Sequence, residues 1–116
     1  IGWFDEDSEE EKNRQKEAWV TIQRGHAVAN GLPVIAINRV GFEKDETNVL
    51  DGIRFWGNSF IAGPQGEFLH VSSTDKEEVV LYDLDMKRCE DVRRIWPFLR
   101  DRRIEAYGDL TKRFRD

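Results

Sequence analysis

The side chains that most often carry out catalysis are few in this sequence. Cys89 is the only thiol, and His26 and His70 are the only imidazoles. A catalytic cysteine needs a base and an oxyanion stabiliser beside it, yet Cys89 falls on the apolar side of a predicted helix with no histidine nearby in sequence. One cysteine also excludes an internal disulfide and a multi-thiolate metal site. We therefore interpret Cys89 as a packing residue and expect no metal and no other cofactor.

Three acidic residues near the start of the chain, Asp5, Glu6 and Asp7, are a second candidate. They are either the solvated entrance of a helix or a patch that receives a cationic ligand. Residues 1–17 contain seven acidic and three basic side chains, whereas residues 87–116 contain ten basic and six acidic ones. Such asymmetry more often indicates pairing between chains, or between the tail and the body, than a ligand site.

A long helix is predicted directly after these acids, from about Glu9 to Ala29. Ser8 is placed to cap its first turn, and Glu11 to close a capping box. The pair Asn30-Gly31 is typical of a left-handed helix end. The acids therefore lie where the helix that positions them begins.

Strand signals follow the helix. Pro33–Ile37 is a short, branched apolar run, typical of a strand covered on both faces, and Gly41–Gly52 reads as a polar loop. The turn at Gly63-Pro64-Gln65-Gly66 lacks the Lys-Ser/Thr pair of a phosphate loop, and it predicts a hairpin of Phe55–Ala62 with Glu67–Ser72. Val79–Leu84 is predicted to be a further strand.

A second helix is predicted after Asp85, its expected cap. Cys89, Val92, Ile95, Trp96 and Leu99 would share one face, with an interruption at Pro97, and a basic, irregular tail would follow from Arg100 to Asp116. The sequence thus predicts an α/β fold, in which helices cover one face of a sheet of about four strands. The other, apolar face would be left open, so another chain or segment is expected to cover it.

Composition limits the class of protein. The chain has 116 residues and a net charge of −5, and Leu, Ile, Val and Phe account for 31 residues, enough for one folded domain. A pI near 5.1 argues against nucleic-acid binding. No apolar run in the sequence reaches membrane-spanning length, and we expect no signal peptide. We expect a cytoplasmic protein with no nucleic-acid or membrane partner.

Several segments resemble one enzyme family. Residues 24–34 (RGHAVANGLPV) and 37–41 (INRVG) resemble the helix-to-strand passage of the nitrilase superfamily of carbon–nitrogen hydrolases. Residues 55–67 (FWGNSFIAGPQGE) are similar to its G-x-S-x-I-x-x-P-x-G hairpin. Residues 96–103 (WPFLRDRR) and Tyr107 resemble one branch, the N-carbamoylputrescine amidohydrolases of polyamine biosynthesis.

The resemblance implies a fold and a reaction. The fold would be half of a four-layer α-β-β-α sandwich. In the reaction, a cysteine attacks the ureido carbonyl, a glutamate takes the thiol proton and a lysine stabilises the oxyanion. Water then completes a hydrolysis that yields putrescine, carbon dioxide and ammonia.

The resemblance also implies where this chain lies in such an enzyme. Ile1-Gly2-Trp3 resembles the segment just past the nucleophile, so residues 1–116 would be the C-terminal portion of a single hydrolase domain. The catalytic residues would lie in the N-terminal part of the same enzyme. That part is therefore the expected binding partner of this chain. No residue here is given a catalytic role, and the chain alone is expected to be inactive.

Six residues are expected to contact the small-molecule substrate. Asp5, Glu6 and Asp7 would border the pocket and offer a carboxylate to its distal ammonium, while Gly57, Asn58 and Ser59 would shape the pocket wall. The resemblance further implies a homo-oligomer, a dimer or larger. The alternatives are a non-catalytic assembly module, or a related amidase with another amide or ureido substrate.

Overall fold

The computed structural model describes residues 1–114; the end of the predicted tail, residues 115 and 116, lies outside the described residues. In this described range, one strand precedes the first of two α-helices and five strands lie between the helices; two short 3-10 turns follow, at Ile104–Ala106 and Gly108–Thr111. The elements are β1 (Gly2–Trp3), α1 (Glu9–Asn30), β2 (Val34–Ala36), β3 (Val40–Lys44), β4 (Gly52–Trp56), β5 (Phe60–Ala62), β6 (Phe68–Val71) and α2 (Met86–Ile95).

Helix α1 confirms the helix that was predicted from the capping residues at its two ends. The Ser8 hydroxyl accepts a hydrogen bond from the Glu11 N–H at 3.2 Å, and the helix ends at Gly31, whose φ is 59°. The Glu11 carboxylate accepts from the Gln15 side chain at 3.2 Å, so it turns forward along the helix rather than back to close a capping box.

The strands form two antiparallel three-stranded sheets, in the orders β1-β4-β3 and β2-β5-β6. The prediction of one sheet of about four strands is therefore wrong. The predicted strand Phe55–Ala62 is divided at Gly57 and Asn58, which are both left-handed, with φ of 52° and 54°. A side chain at position 57 would come within 2.7 Å of the Ser73 carbonyl oxygen, so glycine is needed there.

The predicted loop 41–52 instead contains most of strand β3, and only residues 45–51 remain as the loop of a hairpin with β4. Strand β3 pairs with β4 from Val40 opposite Trp56 to Lys44 opposite Gly52. The polar composition of β3 concealed it, because an antiparallel strand needs only one covered face. The predicted turn at 63–66 is confirmed, since it joins β5 to β6.

The core lies between α1 and the β2-β5-β6 sheet. Val20 and Ala27 of the helix pack with Ala36, Phe60 and Ala62 of the sheet. A chain of aromatic rings continues the core to the other sheet, with centroids 5.3–6.1 Å apart; its members are Trp3, Trp56, Trp19, Phe60 and Phe68.

Helix α2 begins as predicted, because the Asp85 carboxylate accepts from the Arg88 N–H at 3.1 Å. It ends at Ile95, so Trp96 and Leu99 lie beyond the helix rather than on its face. Cys89 and Val92 are buried, whereas Ile95 is exposed. The apolar face is thus covered at Cys89 and Val92 but not at Ile95.

Two further expectations differ from the structure. Val79–Leu84 forms no strand, because no strand among residues 1–114 lies alongside it. In β2, Ile35 is 58% exposed, so this strand is not covered on both faces within the chain. Both segments lie on the apolar side that α1 does not cover.

Candidate functional site

A polar corner forms where the chain crosses from one sheet to the other. Its centre is Asn38, whose side-chain amide donates to the carbonyls of Ile1 (2.8 Å) and Gly57 (3.0 Å). Its side-chain oxygen accepts from the Ile1 nitrogen at 2.6 Å. One amide group thus joins the start of β1, the segment after β2 and the crossover.

The crossover contains three of the predicted pocket residues, and the corner fixes all of them. Ser59 Oγ accepts from the Asn38 N–H (2.9 Å) and donates to the Asn38 carbonyl (3.3 Å). The Gly57 N–H donates to the Arg39 carbonyl at 2.8 Å, and the Asn58 N–H to the Ser73 carbonyl at 3.0 Å. Hydrogen bonds within the chain itself therefore fix this corner.

The three predicted acids lie in different surroundings. The Asp5 carboxylate takes two hydrogen bonds from Arg54, at 2.8 and 2.7 Å, and these lower the pKa of Asp5 below its usual value. Asp7 accepts from the Phe4 N–H and the Gln15 side chain, both at 3.3 Å. Glu6 is exposed and forms no hydrogen bond or ion pair with any residue that the structure describes.

The acids and the crossover lie at opposite ends of β1. This strand runs antiparallel to β4, with Gly2 opposite Phe55 and Trp3 opposite Arg54. Ile1 is therefore beside the crossover, whereas Asp5 is beside Arg54. This chain does not gather the six predicted residues into one pocket.

A cleft of about 630 Å³ opens between the β2-β5-β6 sheet and the segment after β6. Of the six residues predicted to contact the substrate, Ser59 is the only one that lines this cleft in the part of the chain that the structure describes. His70, whose Nε2 is 3.1 Å from Ser72 Oγ, lies in the same wall. The remaining walls combine isoleucine side chains with residues of the 76–84 segment, including Lys76, Glu77 and Glu78.

Cys89 does not have the surroundings of a nucleophile. Its side chain is buried, and its Sγ lies 3.7 Å from the Asp85 carbonyl oxygen. Burial, followed by the charge of Asp85, raises the pKa of the thiol. Because the thiolate is the reactive form, the structure supports the interpretation of Cys89 as a packing residue.

Sequence reasoning missed two residues that organise this region, Asn38 and Arg54. Arg54 also packs its guanidinium over the Phe42 ring, 5.2 Å from the centroid. The sequence signal for Asn38 was only that it is a polar residue directly after an apolar strand run, which is common at strand ends. Its partners are 19 to 37 residues away in the sequence, so no local pattern indicates them.

Residues 1–114 contain neither a metal-binding cluster nor a membrane-spanning helix. Nowhere in this range do three or more His, Cys, Asp or Glu side chains come together in a group able to hold a metal ion. None of the helices in it is both long enough and apolar enough to cross a membrane.

Comparison with known proteins defines the class. The fold of two helices and two three-stranded sheets matches a crystal structure of a carbon-nitrogen hydrolase from Helicobacter pylori G27. The TM-score is 0.94 and the identity 57%, over 99% of this chain and 39% of that one. The predicted α/β fold class is thereby confirmed.

The sequence gives the same assignment. Residues 3–94 match the family "Carbon-nitrogen hydrolase", so the chain belongs to the carbon-nitrogen hydrolase family. It is 43% identical to an N-carbamoylputrescine amidase of Arabidopsis thaliana, over 82% of this chain and 32% of the relative. It is 28% identical to a citrullinase of Francisella tularensis, over 85% of this chain and 34% of that protein.

The chain thus spans about a third of the length of the curated relatives that it matches. The prediction that this third is the C-terminal part of such an enzyme is not confirmed by the comparisons.

Proposed function

We propose that this chain is part of an amidohydrolase that hydrolyses the ureido C–N bond of N-carbamoylputrescine to putrescine, carbon dioxide and ammonia. The observation that carries the proposal is the 43% identity to an amidase named for this substrate, compared with 28% to the citrullinase. A ureido group needs a strong nucleophile and an oxyanion stabiliser, since its carbonyl is a poor electrophile.

The nucleophile is proposed to come from outside this chain. Cys89 is the only cysteine, and it is buried with a raised pKa. In the proposed reaction, a thiolate elsewhere in the enzyme attacks the carbonyl carbon. One C–N bond breaks as the thiocarbamate forms, and its nitrogen leaves protonated. One water then hydrolyses the thiocarbamate, which frees the thiol, and the resulting carbamic acid gives carbon dioxide and the second nitrogen product.

The test is ammonia release by the full-length enzyme from N-carbamoylputrescine, with citrulline and N-carbamoyl-β-alanine as competing substrates. The highest kcat/KM is expected with N-carbamoylputrescine, and Cys89→Ser should retain activity. The 116-residue chain alone should release no ammonia. A preference for another substrate would instead favour a related amidase. Activity of the isolated chain that is lost in Cys89→Ser would contradict the assignment of the nucleophile.

The six predicted contact residues are proposed to bind the substrate in the full-length enzyme. Glu6 is the best candidate for the distal ammonium, because Asp5 is paired with Arg54 and Asp7 accepts two hydrogen bonds. A charge-assisted hydrogen bond contributes about 1.5–3 kcal/mol. The crossover residues Gly57–Ser59 are proposed to form the wall rather than to react.

Substitution of Glu6 by Gln tests whether Glu6 binds the distal ammonium of the substrate. We expect KM for N-carbamoylputrescine to rise about tenfold or more, with little change for a neutral ureido analogue of similar length. Glu17→Gln is the matched control, since it makes the same chemical change at an exposed glutamate of α1 that is not among the six predicted contact residues. Equal effects on both substrates would make Glu6 a residue of the helix entrance only.

We also propose that the enzyme is a homo-oligomer, a dimer or larger. Support comes from the segment after α2, which carries exposed apolar side chains: Trp96, Phe98, Leu99, Ile104, Tyr107, Leu110 and Phe114. Monomeric proteins rarely expose so many together. The alternative of a non-catalytic assembly module would retain this surface without ureido hydrolysis.

A further inference from the structure

The side chain of Asn38 takes the place of a strand residue beside Ile1. Its Oδ1 accepts from the Ile1 nitrogen at 2.6 Å, and its Nδ2 donates to the Ile1 carbonyl at 2.8 Å. These are the two kinds of bond that directly opposite residues exchange in an antiparallel sheet. Nδ2 also donates to the Gly57 carbonyl at 3.0 Å, so both donors of the amide are used within the chain. A single side chain therefore ties the end of β1 to the crossover.

The backbone of the same residue holds the other end of the crossover. The Asn38 N–H donates to Ser59 Oγ at 2.9 Å, and the Asn38 carbonyl accepts from that hydroxyl at 3.3 Å. Between these two anchors, Gly57 and Asn58 are both left-handed. This conformation is unfavourable for a residue with a Cβ, although asparagine tolerates it better than most. Such backbone persists where its surroundings fix it, and Asn38 supplies contacts on both sides.

We propose that Asn38 is a positioning residue of the hydrolase, which fixes the crossover Gly57–Ser59 relative to the end of β1. The inference rests on the proposed function in taking this crossover as the wall of the substrate pocket. Asn38 acts through the wall, because its amide has no donor left for a substrate. A wall displaced by about 1 Å still admits the substrate but holds it out of line with the nucleophile, which can cost about 100-fold in rate.

An amide suits this position better than other side chains of the same shape. A carboxylate could still accept from the Ile1 nitrogen, but its second oxygen would face the carbonyl oxygens of Ile1 and Gly57 without a hydrogen to donate. Acceptors in contact repel each other, and carbonyls left unpaired in this half-buried corner are costly. Asn38→Asp therefore opens the corner with almost no change in side-chain volume.

Steady-state kinetics of the full-length enzyme test the role of Asn38. The substrate is whichever ureido or amide compound the unmodified enzyme hydrolyses fastest, so an error in the proposed substrate does not affect the comparison. We expect Asn38→Asp to lower kcat about 100-fold and to change KM less than about threefold, because the pocket still admits the substrate. A folded Asn38→Asp enzyme whose kcat is unchanged would overturn the proposal.

Gly31→Ala is the control for a loss of stability alone. Its Cβ would meet Arg93 at the end of α1, so it should lower Tm and leave kcat unchanged at temperatures where the enzyme is folded. An equal loss of kcat in Gly31→Ala would overturn the proposal, because stability would then explain both variants. If the new charge at position 38 prevents folding, Asn38→Ser takes its place. The shorter serine reaches at most one of the two carbonyls, so kcat should fall about tenfold, and an unchanged kcat would again refute the role.

Hydrogen–deuterium exchange at single amides reports on the crossover itself. The Gly57 N–H donates to the Arg39 carbonyl at 2.8 Å, whereas the Gly66 N–H donates within its own turn at 2.9 Å. In Asn38→Ser, the Gly57 amide should exchange about tenfold faster than in the unmodified enzyme, with the Gly66 amide unchanged. Equal exchange at Gly57 in the two proteins would show that the crossover is held without Asn38, and would refute the proposal whatever the substrate of the enzyme.

Discussion

A single carboxylate organises the loop between β3 and β4. Asp45 accepts hydrogen bonds from the backbone N–H groups of Thr47 (2.9 Å), Val49 (3.2 Å) and Leu50 (3.0 Å). The Thr47 hydroxyl also donates to it. These bonds lower the pKa of Asp45 to about 2, and the bond from the Leu50 N–H has the largest effect. The loop is thus held by an ionised group rather than by buried apolar contacts.

The lowered pKa of Asp45 predicts how the loop responds to acid. The unfolded value is 3.8, so the stabilisation is fully present above about pH 4 and is lost as the pH falls through about 2. In an NMR titration, the amide shifts of Val49 and Leu50 should change with a midpoint near 2. Asp45→Asn should give a flat titration, while a midpoint near 3.8 would contradict the structure.

Cys89 is predicted to react slowly with thiol reagents. Burial and the nearby Asp85 charge raise its pKa, and only the thiolate reacts. Under native conditions we expect modification at least about tenfold slower than in denaturant. Because a Cys89→Ser, Lys87→Cys variant presents a thiol on the exposed side of the same helix, its thiol should react at nearly the same rate in both conditions. Equally fast native modification of Cys89 would show that it is accessible.

At the scale of the element, the two ends of α1 show how local chemistry sets a helix. Ser8 caps the first turn, and Gly31 ends the last one in a left-handed conformation. A Cβ at position 31 would also lie 2.6 Å from Arg93 Cγ of α2. This glycine is therefore required both by its backbone conformation and by the approach of the second helix.

Substitutions at these ends should lower the free energy of unfolding. We expect Ser8→Ala to cost about 1 kcal/mol and Gly31→Ala to cost about 1–2 kcal/mol. Gly25→Ala is the matched control, because that exposed glycine lies inside the helix with nothing within 4 Å of its Cβ. It should stabilise by about 0.5–1 kcal/mol. Urea unfolding measures all three, and a neutral Gly31→Ala would contradict the packing against Arg93.

At the scale of the whole molecule, the chain is more extended than a self-contained domain. Its radius of gyration is 18.5 Å, whereas a compact domain of this length has about 13 Å. No large polar or charged side chain is fully buried among the described residues, and Phe60 is the only large side chain below 2% exposure there. The apolar surface of this chain is therefore suited to contacts with further protein.

Self-association of the full-length enzyme should depend on the apolar segment after α2. We expect sedimentation to show a dimer or larger species, and Phe98→Asp with Leu110→Asp to shift it toward monomer, because charges are costly in an apolar interface. Lys112→Glu is a control for a change of charge alone on the same segment. A wild-type monomer that also fails to bind a hydrophobic dye would contradict the proposed oligomer.

The sequence by itself determined the elements whose signals are local. Both ends of α1, the turn at residues 63–66 and the cap at Asp85 depend on partners within about five residues, so they could be predicted. The packing role of Cys89 followed from its helical face and from the missing base. The family was also predicted, because its motifs are contiguous in the chain.

Tertiary structure alone decided the rest, because the deciding contacts are distant in sequence. The left-handed pair Gly57-Asn58 divides one predicted strand between two sheets, and Asn38 joins segments up to 37 residues apart. The separation of Asp5 from the crossover follows from the antiparallel pairing of β1 with β4. Strand pairing is a property of two segments, so the apolar pattern of Val79–Leu84 predicted a strand although no strand among residues 1–114 pairs with it.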